Sequence, residues 1–323
     1  MITESFVIPD AANILQAAAR INPFVNRTPV LTCHAVDRML GARVFMKCEN
    51  FQKVGAFKAR GATNAVLSLD QQLLRNGVAT HSSGNHAQAL AWAASLAGAK
   101  AHIVMPSDSS KVKVAAVKDY GGIITFCEPN LDSRESTLER VIGETGATEI
   151  HPYNNVNIIA GQATAALEFF EDAPGLDILM TPVGGGGLLS GTCLSAHYFH
   201  PSTKVVAGEP EQANDAWQSF TQKHLIPSVS PDTIADGLRT SLGSITFPII
   251  LQHVHAIVTV REESIIKAMR FLWERMKILV EPSSAVPFAA LMEGKLDIAG
   301  KNIGIILSGG NVDLDNLPWS HHE

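Results

Sequence analysis

The chain has 323 residues, 46% of them hydrophobic, 17% charged and 6% aromatic, with a formal net charge of −6. At roughly 100–200 residues per domain, that length gives two domains or one large domain with an insertion, and the composition excludes a disordered or collagen-like chain. The acidic excess leaves no basic field for nucleic acid, no apolar run reaches the ~18–20 residues of a membrane helix, and Met1-Ile2-Thr3-Glu4-Ser5 lacks a secretion signal's basic and apolar regions.

In chain order, Arg43–Cys48 reads as a strand, Lys58–Leu69 as a helix and Val78–His81 as a strand. Asn85–Leu96 (helix), Ala101–Met105 (strand), Ser110–Tyr120 (helix), Ile123–Cys127 (strand) and Ser133–Glu144 (helix) continue the alternation. The second half repeats it with Ala160–Phe170 (helix), Leu176–Thr181 (strand), Gly187–Tyr198 (helix) and Lys204–Ala207 (strand). Ala256–Val260 (strand), Glu263–Met276 (helix) and Ile303–Leu307 (strand) close the series. Strands alternating with helices predict an α/β protein with open, mostly parallel twisted sheets covered by helices on both faces. The polar stretches Leu69–Gly77 and Glu149–Asn157 read as crossings between two domains, with a ligand site between them.

Cys33, Cys48, Cys127 and Cys193 show neither C-x-x-C pairing nor a metal-ligand cadence, so reduced thiols and a cytoplasmic location are expected. His321 and His322 are read as tail residues without a role, and no regulatory extension is expected after residue 320.

Three clusters fall at strand-to-helix turns: Ser82-Ser83-Gly84-Asn85-His86, Gly184–Gly187, and Ser308-Gly309-Gly310-Asn311. Four glycines opening a helix offer backbone N–H groups to a phosphate at the helix's positive end. They do not match the nucleoside triphosphatase loop and fit a dinucleotide fingerprint poorly; by themselves they suit a tight packed turn equally well. Lys58 begins a helix after a glycine turn, beside Phe57. A lysine there is ordinarily a solvated cation, but a desolvated one loses its proton and attacks an aldehyde. A phosphate cradle together with such a lysine suits pyridoxal phosphate.

Asn50–Ala62, Ser82–Gln88, Gly184–Gly187, Glu281–Ala285 and Ser308–Asp313 together resemble the fold-type II pyridoxal-phosphate enzymes, specifically the serine racemase and serine/threonine dehydratase family. The resemblance runs over essentially the whole chain in the family's order. It implies a tryptophan synthase β-like fold, with residues 1–68 and 154–323 as a large cofactor domain and 76–153 as a small mobile one.

By that resemblance Lys58 would bind the cofactor aldehyde and act as acid and base on one face of Cα, with Ser83 on the opposite face. Ser82, Ser83, Gly84, Asn85 and His86 would hold the substrate, and Arg134 would close over its carboxylate. Asn85 would meet the cofactor's ring oxygen, Phe57 would pack on the ring, Gly184, Gly185, Gly186 and Gly187 would bind the phosphate, and Ser308 would face the pyridine nitrogen. Gly237 and Glu281 would complete the cofactor shell. A hydroxyl at Ser308 cannot hold a proton on that nitrogen as a carboxylate can. The ring is then a weaker electron sink, which suits early loss of a β-hydroxyl.

The resemblance also implies a divalent cation, Mg²⁺, Mn²⁺ or Ca²⁺, on Glu209, the Ala213 carbonyl and Asp215, where spacing alone favours a solvated acidic turn. The expected partner is a small hydroxy amino acid, with assembly as a homodimer. The expected activity is a pyridoxal-phosphate-dependent L-serine/L-threonine dehydratase (ammonia-lyase) giving a 2-oxo acid and ammonia, with serine racemase activity. The stretch Ala235–Ser241 resembles the serine/threonine branch. Ala56 and Tyr153 depart from racemases with serine and asparagine there, which keeps 3-hydroxyaspartate ammonia-lyase activity open. The other alternative is a non-catalytic amino-acid-binding relative, against which the retention of Lys58, Ser83, Asn85 and Ser308 counts.

Overall fold

Burial along the strands decides the architecture. In the computed structural model, which describes residues 7–320, Ile178–Pro182 is buried throughout and Asn302–Leu307 along all but its first residue. Strands buried on both faces need helices on both sides, as parallel sheets have. Met1 to Ser5 and His321–His322 lie outside the described residues.

The chain opens with α1 (Ala11–Ile21), β1 (Val30–Thr32), α2 (His34–Leu40) and β2 (Arg43–Cys48). It continues with α3 (Lys58–Leu67), α4 (Gln71–Asn76), β3 (Val78–His81), α5 (Asn85–Leu96), β4 (Ala101–Pro106) and α6 (Lys111–Asp119). Next come β5 (Gly122–Cys127), α7 (Leu131–Thr145), β6 (Thr148–Glu149), α8 (Val156–Asp172), β7 (Ile178–Pro182) and α9 (Gly187–Phe199). The last elements are β8 (Lys204–Pro210), α10 (Asp215–Gln222), α11 (Thr246–His253), β9 (Ala256–Val260), α12 (Glu262–Met276), α13 (Pro282–Met292) and β10 (Asn302–Leu307).

Two sheets result. One has six strands in the order β1-β2-β10-β7-β8-β9, parallel except for the antiparallel edge pair β1/β2. The other has four parallel strands in the order β5-β4-β3-β6. In the larger sheet Ile305 of β10 stands between Met46 and Met180. One face packs on α12 and α13, burying Leu272, Val286 and Phe288, and the other on α8 and α9, burying Phe169 and Leu189. The smaller sheet packs on α3 and α5 through Ala62, Leu90 and Ile103.

The expected strands and helices are all present, some longer, as α8 is, and some shorter, as α3 and α6 are. The stretch Leu69–Gly77, read as a polar crossing, instead contains α4. Asp70 caps that helix by accepting from Leu73 N at 2.8 Å, and Gly77 ends it with φ +85°. Helix α13 escaped the periodicity reading because it is buried on nearly every side and so has no amphipathic stripe. Its Pro282 sits in the first turn, where a missing N–H costs nothing.

Candidate active site

A cavity of about 760 Å³ opens between the carboxyl ends of the two sheets. The sequence-predicted cofactor and substrate residues all line it: Phe57, Lys58, Ser82 to His86, Arg134, Gly184 to Gly187, Gly237, Glu281 and Ser308. Glu209, Ala213 and Asp215 do not.

The lysine is set by a strained loop. Val54, a β-branched residue, adopts φ +54°, in the region that disfavours such side chains. Asn311 holds that turn by donating Nδ2 to Val54 O at 2.7 Å. Lys58 follows at the first position of α3, its Nζ donating to Pro152 O at 2.8 Å and lying 5.2 Å from the Phe57 ring centroid. The side chain keeps some exposure to the cavity. Even so, desolvation pushes its pKa down to about 8, against the opposing charge of Glu281. The ammonium is therefore close to losing its proton near neutral pH.

Across the cavity, β3 ends and Ser82, Ser83 and Gly84 lead into α5, whose first residues Asn85 and His86 line the cavity with them and whose first N–H groups have no partner within the helix. Asn85 is held from two sides. Its Nδ2 lies 3.0 Å from both Glu281 oxygens, and its Oδ1 accepts from Asn311 Nδ2 at 2.9 Å. Burial, and then the charge of Asp236, raises the Glu281 pKa to about 7, while Asn85 and the Asn311 N–H oppose the shift. His86 turns its Nε2 to Ile150 O at 3.0 Å, which braces the loop, and burial drives its pKa to about 3.

The glycines answer to sterics. A Cβ on Gly185 would lie 2.3 Å from the Tyr153 ring, and Gly186 has φ +86° with its Cβ position 2.7 Å from Ile250 Cδ1. Only a backbone without side chains makes this turn, and it ends where α9 exposes its N-terminal amides, a preformed anion site. Ser308, 2% exposed at the end of β10, accepts Phe57 N through its carbonyl at 3.0 Å and so ties the strand end to the lysine turn. Gly237 donates its N–H to Ser283 Oγ at 3.1 Å. Next to it, Asp236 pairs with Lys113 of α6 at 2.5 Å, joining the two sides of the cavity. Arg134 reaches the cavity from α7, and its buried Nε has no partner among the described residues.

Glu209, near the end of β8, and Asp215, at the first position of α10, are both buried, at 1% and 4% exposure. Glu209 accepts from Ala216 N at 2.8 Å and Trp217 N at 2.7 Å, whereas among the described residues no well-formed hydrogen bond reaches either Asp215 oxygen, although Ser228 is near enough to oppose the rise in its pKa. Burial raises the pKa of each, Asp215 to about 6 and Glu209 well above its ordinary value, where the charge of Asp215 adds to the effect. Two adjacent buried carboxylates with open lone pairs suit a hard cation. Among the described residues there is no group of three or more His, Cys, Asp and Glu able to hold a metal, so any ion here needs the Ala213 carbonyl or water as well.

The site also contains residues that sequence reasoning did not assign: His81, His151, Pro152, Lys113 and Asn311. Asn311 stood within a cluster already singled out. The others carry no local motif and become visible only where the chain brings them to one cavity.

A family model for "Pyridoxal-phosphate dependent enzyme" matches residues 21–309. The chain is 48% identical over 313 residues to a beta-hydroxyaspartate dehydratase of Paracoccus denitrificans, covering 97% of this chain and 99% of the relative. It is 47% identical over 313 residues to a serine racemase of Dictyostelium discoideum, covering 94% and 95%. Among solved structures, maize serine racemase superposes with a TM-score of 0.93 at 45% identity, covering 96% of this chain and 95% of that one. Agreement of that extent with a lysine-and-glycine cavity of the right chemistry leaves one conclusion: the chain belongs to the family of pyridoxal-phosphate dependent enzymes.

Proposed function

We propose that this protein removes the β-hydroxyl of L-serine and L-threonine as water to leave an enamine, whose imine tautomer takes up water and releases ammonia as the 2-oxo acid forms, and that it interconverts serine enantiomers at the same site. The observation that carries the reading is Lys58, a lysine with pKa about 8 facing a cavity that Ser83 and Ser308 also line. When bound, pyridoxal phosphate supplies an electron sink for the pair released at Cα. The Gly184–Gly187 amides and the start of α9 would hold its phosphate, Asn85 its ring oxygen, and Ser308 would face its nitrogen. Lys58 takes or returns the Cα proton on one face and Ser83 on the other, the minimum a racemase needs. The N–H groups at the start of α5, with Ser82, orient the substrate carboxylate.

A second reading, a 3-hydroxyaspartate ammonia-lyase, is supported by Arg134. It lines the cavity, and a guanidinium there suits pairing with a second carboxylate. The relative named beta-hydroxyaspartate dehydratase supports it too. A turnover panel of L- and D-serine, L-threonine and both 3-hydroxyaspartate diastereomers, scored for 2-oxo acid and enantiomer together, tests both readings. We expect 2-oxo acid from L-serine; release from 3-hydroxyaspartate alone would favour the second reading, and no turnover of any substrate by the cofactor-loaded protein would refute both.

Residues 76–153 are taken as a small mobile domain beside 1–68 and 154–323, the division being supported by their separate four-stranded sheet, with the Lys113–Asp236 pair as a contact between the two. A divalent cation, Mg²⁺, Mn²⁺ or Ca²⁺, is assigned to Glu209, Ala213 and Asp215 on the strength of the open Asp215 oxygens. Chelation should lower the melting temperature and Mg²⁺ should restore it, and a melting curve indifferent to both would remove the ion. Assembly as a homodimer and a cytoplasmic location complete the proposal. They are supported by the family resemblance and by four cysteines that are all free. Among the described residues no helix is long and apolar enough to cross a membrane.

A further inference from the structure

The segment Ile150–Asn154 joins β6 to α8 and passes along the cavity. Most of its polar groups are already committed. Ile150 O bonds to His86, Pro152 O accepts from Lys58, and the Tyr153 hydroxyl meets Thr240 Oγ1 at 2.8 Å. His151 differs. Its Nδ1 accepts the backbone N–H of Asn154 at 2.9 Å and that of Tyr153 at 3.3 Å. A ring nitrogen that accepts amide protons carries none itself, so the ring is neutral and its one proton sits on Nε2.

Burial, with the nearby His81 and Lys58, holds the His151 pKa down to about 4, which keeps the ring uncharged at neutral pH. Its plane is set by edge-on contacts with Tyr153, at 4.5 Å between centroids and 88°, and with His81, at 6.3 Å and 89°. Nε2 lies on the ring edge opposite the turn. Among the described residues it has no hydrogen-bond partner, and it is not a buried atom, so it faces the cavity that His151 lines. The result is a donor of fixed direction, without charge, in the wall of the substrate site.

The geometry points to His151 as a specificity-determining residue that donates Nε2–H to the oxygen on the substrate's β-carbon. This rests on the dehydratase and racemase reading above. The α-carboxylate is already served by the N-terminal amides of α5, whose partial positive charge suits an anion. A single neutral donor suits a hydroxyl instead. Neutral imidazole is a poor proton donor, so its part is to orient and recognise the oxygen while no proton leaves Nε2. A site built around a hydrogen bond to a substrate hydroxyl rejects the analogue that lacks it, because its own donor is then left unpaired.

The test uses cofactor-loaded wild type, His151→Asn and His151→Gln. In His151→Asn the shorter amide can still accept the two backbone N–H groups but offers no distal donor. His151→Gln extends a donor toward the cavity. Two ratios are measured: Cα deuterium exchange of L-serine against L-alanine, and 2-oxo acid release from L-serine against β-chloro-L-alanine, whose leaving group needs no hydrogen bond. Both ratios should fall by about tenfold or more in His151→Asn and recover in part in His151→Gln. Equal loss on every substrate, or unchanged ratios, would overturn the assignment. The bound-cofactor absorbance reports whether each variant assembles its site. If His151→Asn does not, a third variant, His151→Phe, replaces it: a fall in both ratios supports the assignment, and wild-type ratios overturn it. A wild type inactive on every substrate would instead refute the underlying functional reading.

Discussion

Lys58 shows how placement changes a residue's chemistry. An exposed lysine is protonated up to about pH 10.4 and is a poor nucleophile. Here desolvation lowers the pKa to about 8 despite Glu281, because the cavity wall replaces the water that would solvate the charge. The sign is definite: below pH 8 the amine is protonated and inert toward an aldehyde, and as pH rises through 8 it becomes the free base. The rate at which cofactor-free protein captures pyridoxal phosphate should therefore climb through about pH 8 and level off above it, as followed by the absorbance of the bound cofactor. A midpoint near 10 would mean that the site does not desolvate the lysine. Lys58 was legible as a candidate from its neighbours, Gly55 and Phe57. Its partner Pro152 O was not, since nothing in a sequence marks a carbonyl 94 residues away.

The Gly184–Gly187 turn works as an element. Gly186 must adopt φ +86°, and the space its Cβ would occupy is taken by Ile250, Leu242 and Thr246. Gly186→Ala meets both problems, with a backbone cost of about 1–2 kcal/mol before any steric clash. A melting temperature lower by roughly 2–8 °C is expected at about 2–4 °C per kcal/mol for a chain of this size. Cofactor titration should show weaker binding as well, because the same turn aims the α9 amides. Unaltered melting and binding would show that the turn tolerates a side chain. The glycine run was visible in the sequence, but its reason was not. Ile250 and Thr246 belong to α11, an element that no local pattern announced.

Across the whole molecule, the lysine helix is anchored by a buried ionic network. Arg60, 0% exposed, donates Nε and Nη2 to Glu49 at 2.8 Å each, and Nη1 and Nη2 to Glu168 at 2.7 and 2.8 Å. Lys47 adds contacts to Glu168 at 2.9 Å and Asp172 at 3.1 Å. The network joins α3 to the end of β2 and to α8. Arg60→Ala would leave Glu49 buried without its cation, a loss of about 3–5 kcal/mol in denaturant unfolding. Arg60→Lys should restore little, since an ammonium cannot bridge two carboxylates with the guanidinium's planar fork. A variant as stable as wild type would show that the carboxylates find other partners or take up protons.

The sequence by itself determined the alternation of strands and helices and marked the glycine turn and Lys58 as candidates for a cofactor site, while Ser83 and Ser308 entered through the family resemblance. These are local properties of backbone and side chain, written in short stretches of chain. Only the tertiary structure decided what surrounds them. The Arg60 network, the Asn85–Glu281–Asn311 set, the Lys113–Asp236 pair and the fixed tautomer of His151 each depend on groups distant in the chain meeting in a desolvated place. Desolvation and hydrogen-bond direction are properties of assembled surroundings, so they appear only when the two sheets close around the cavity.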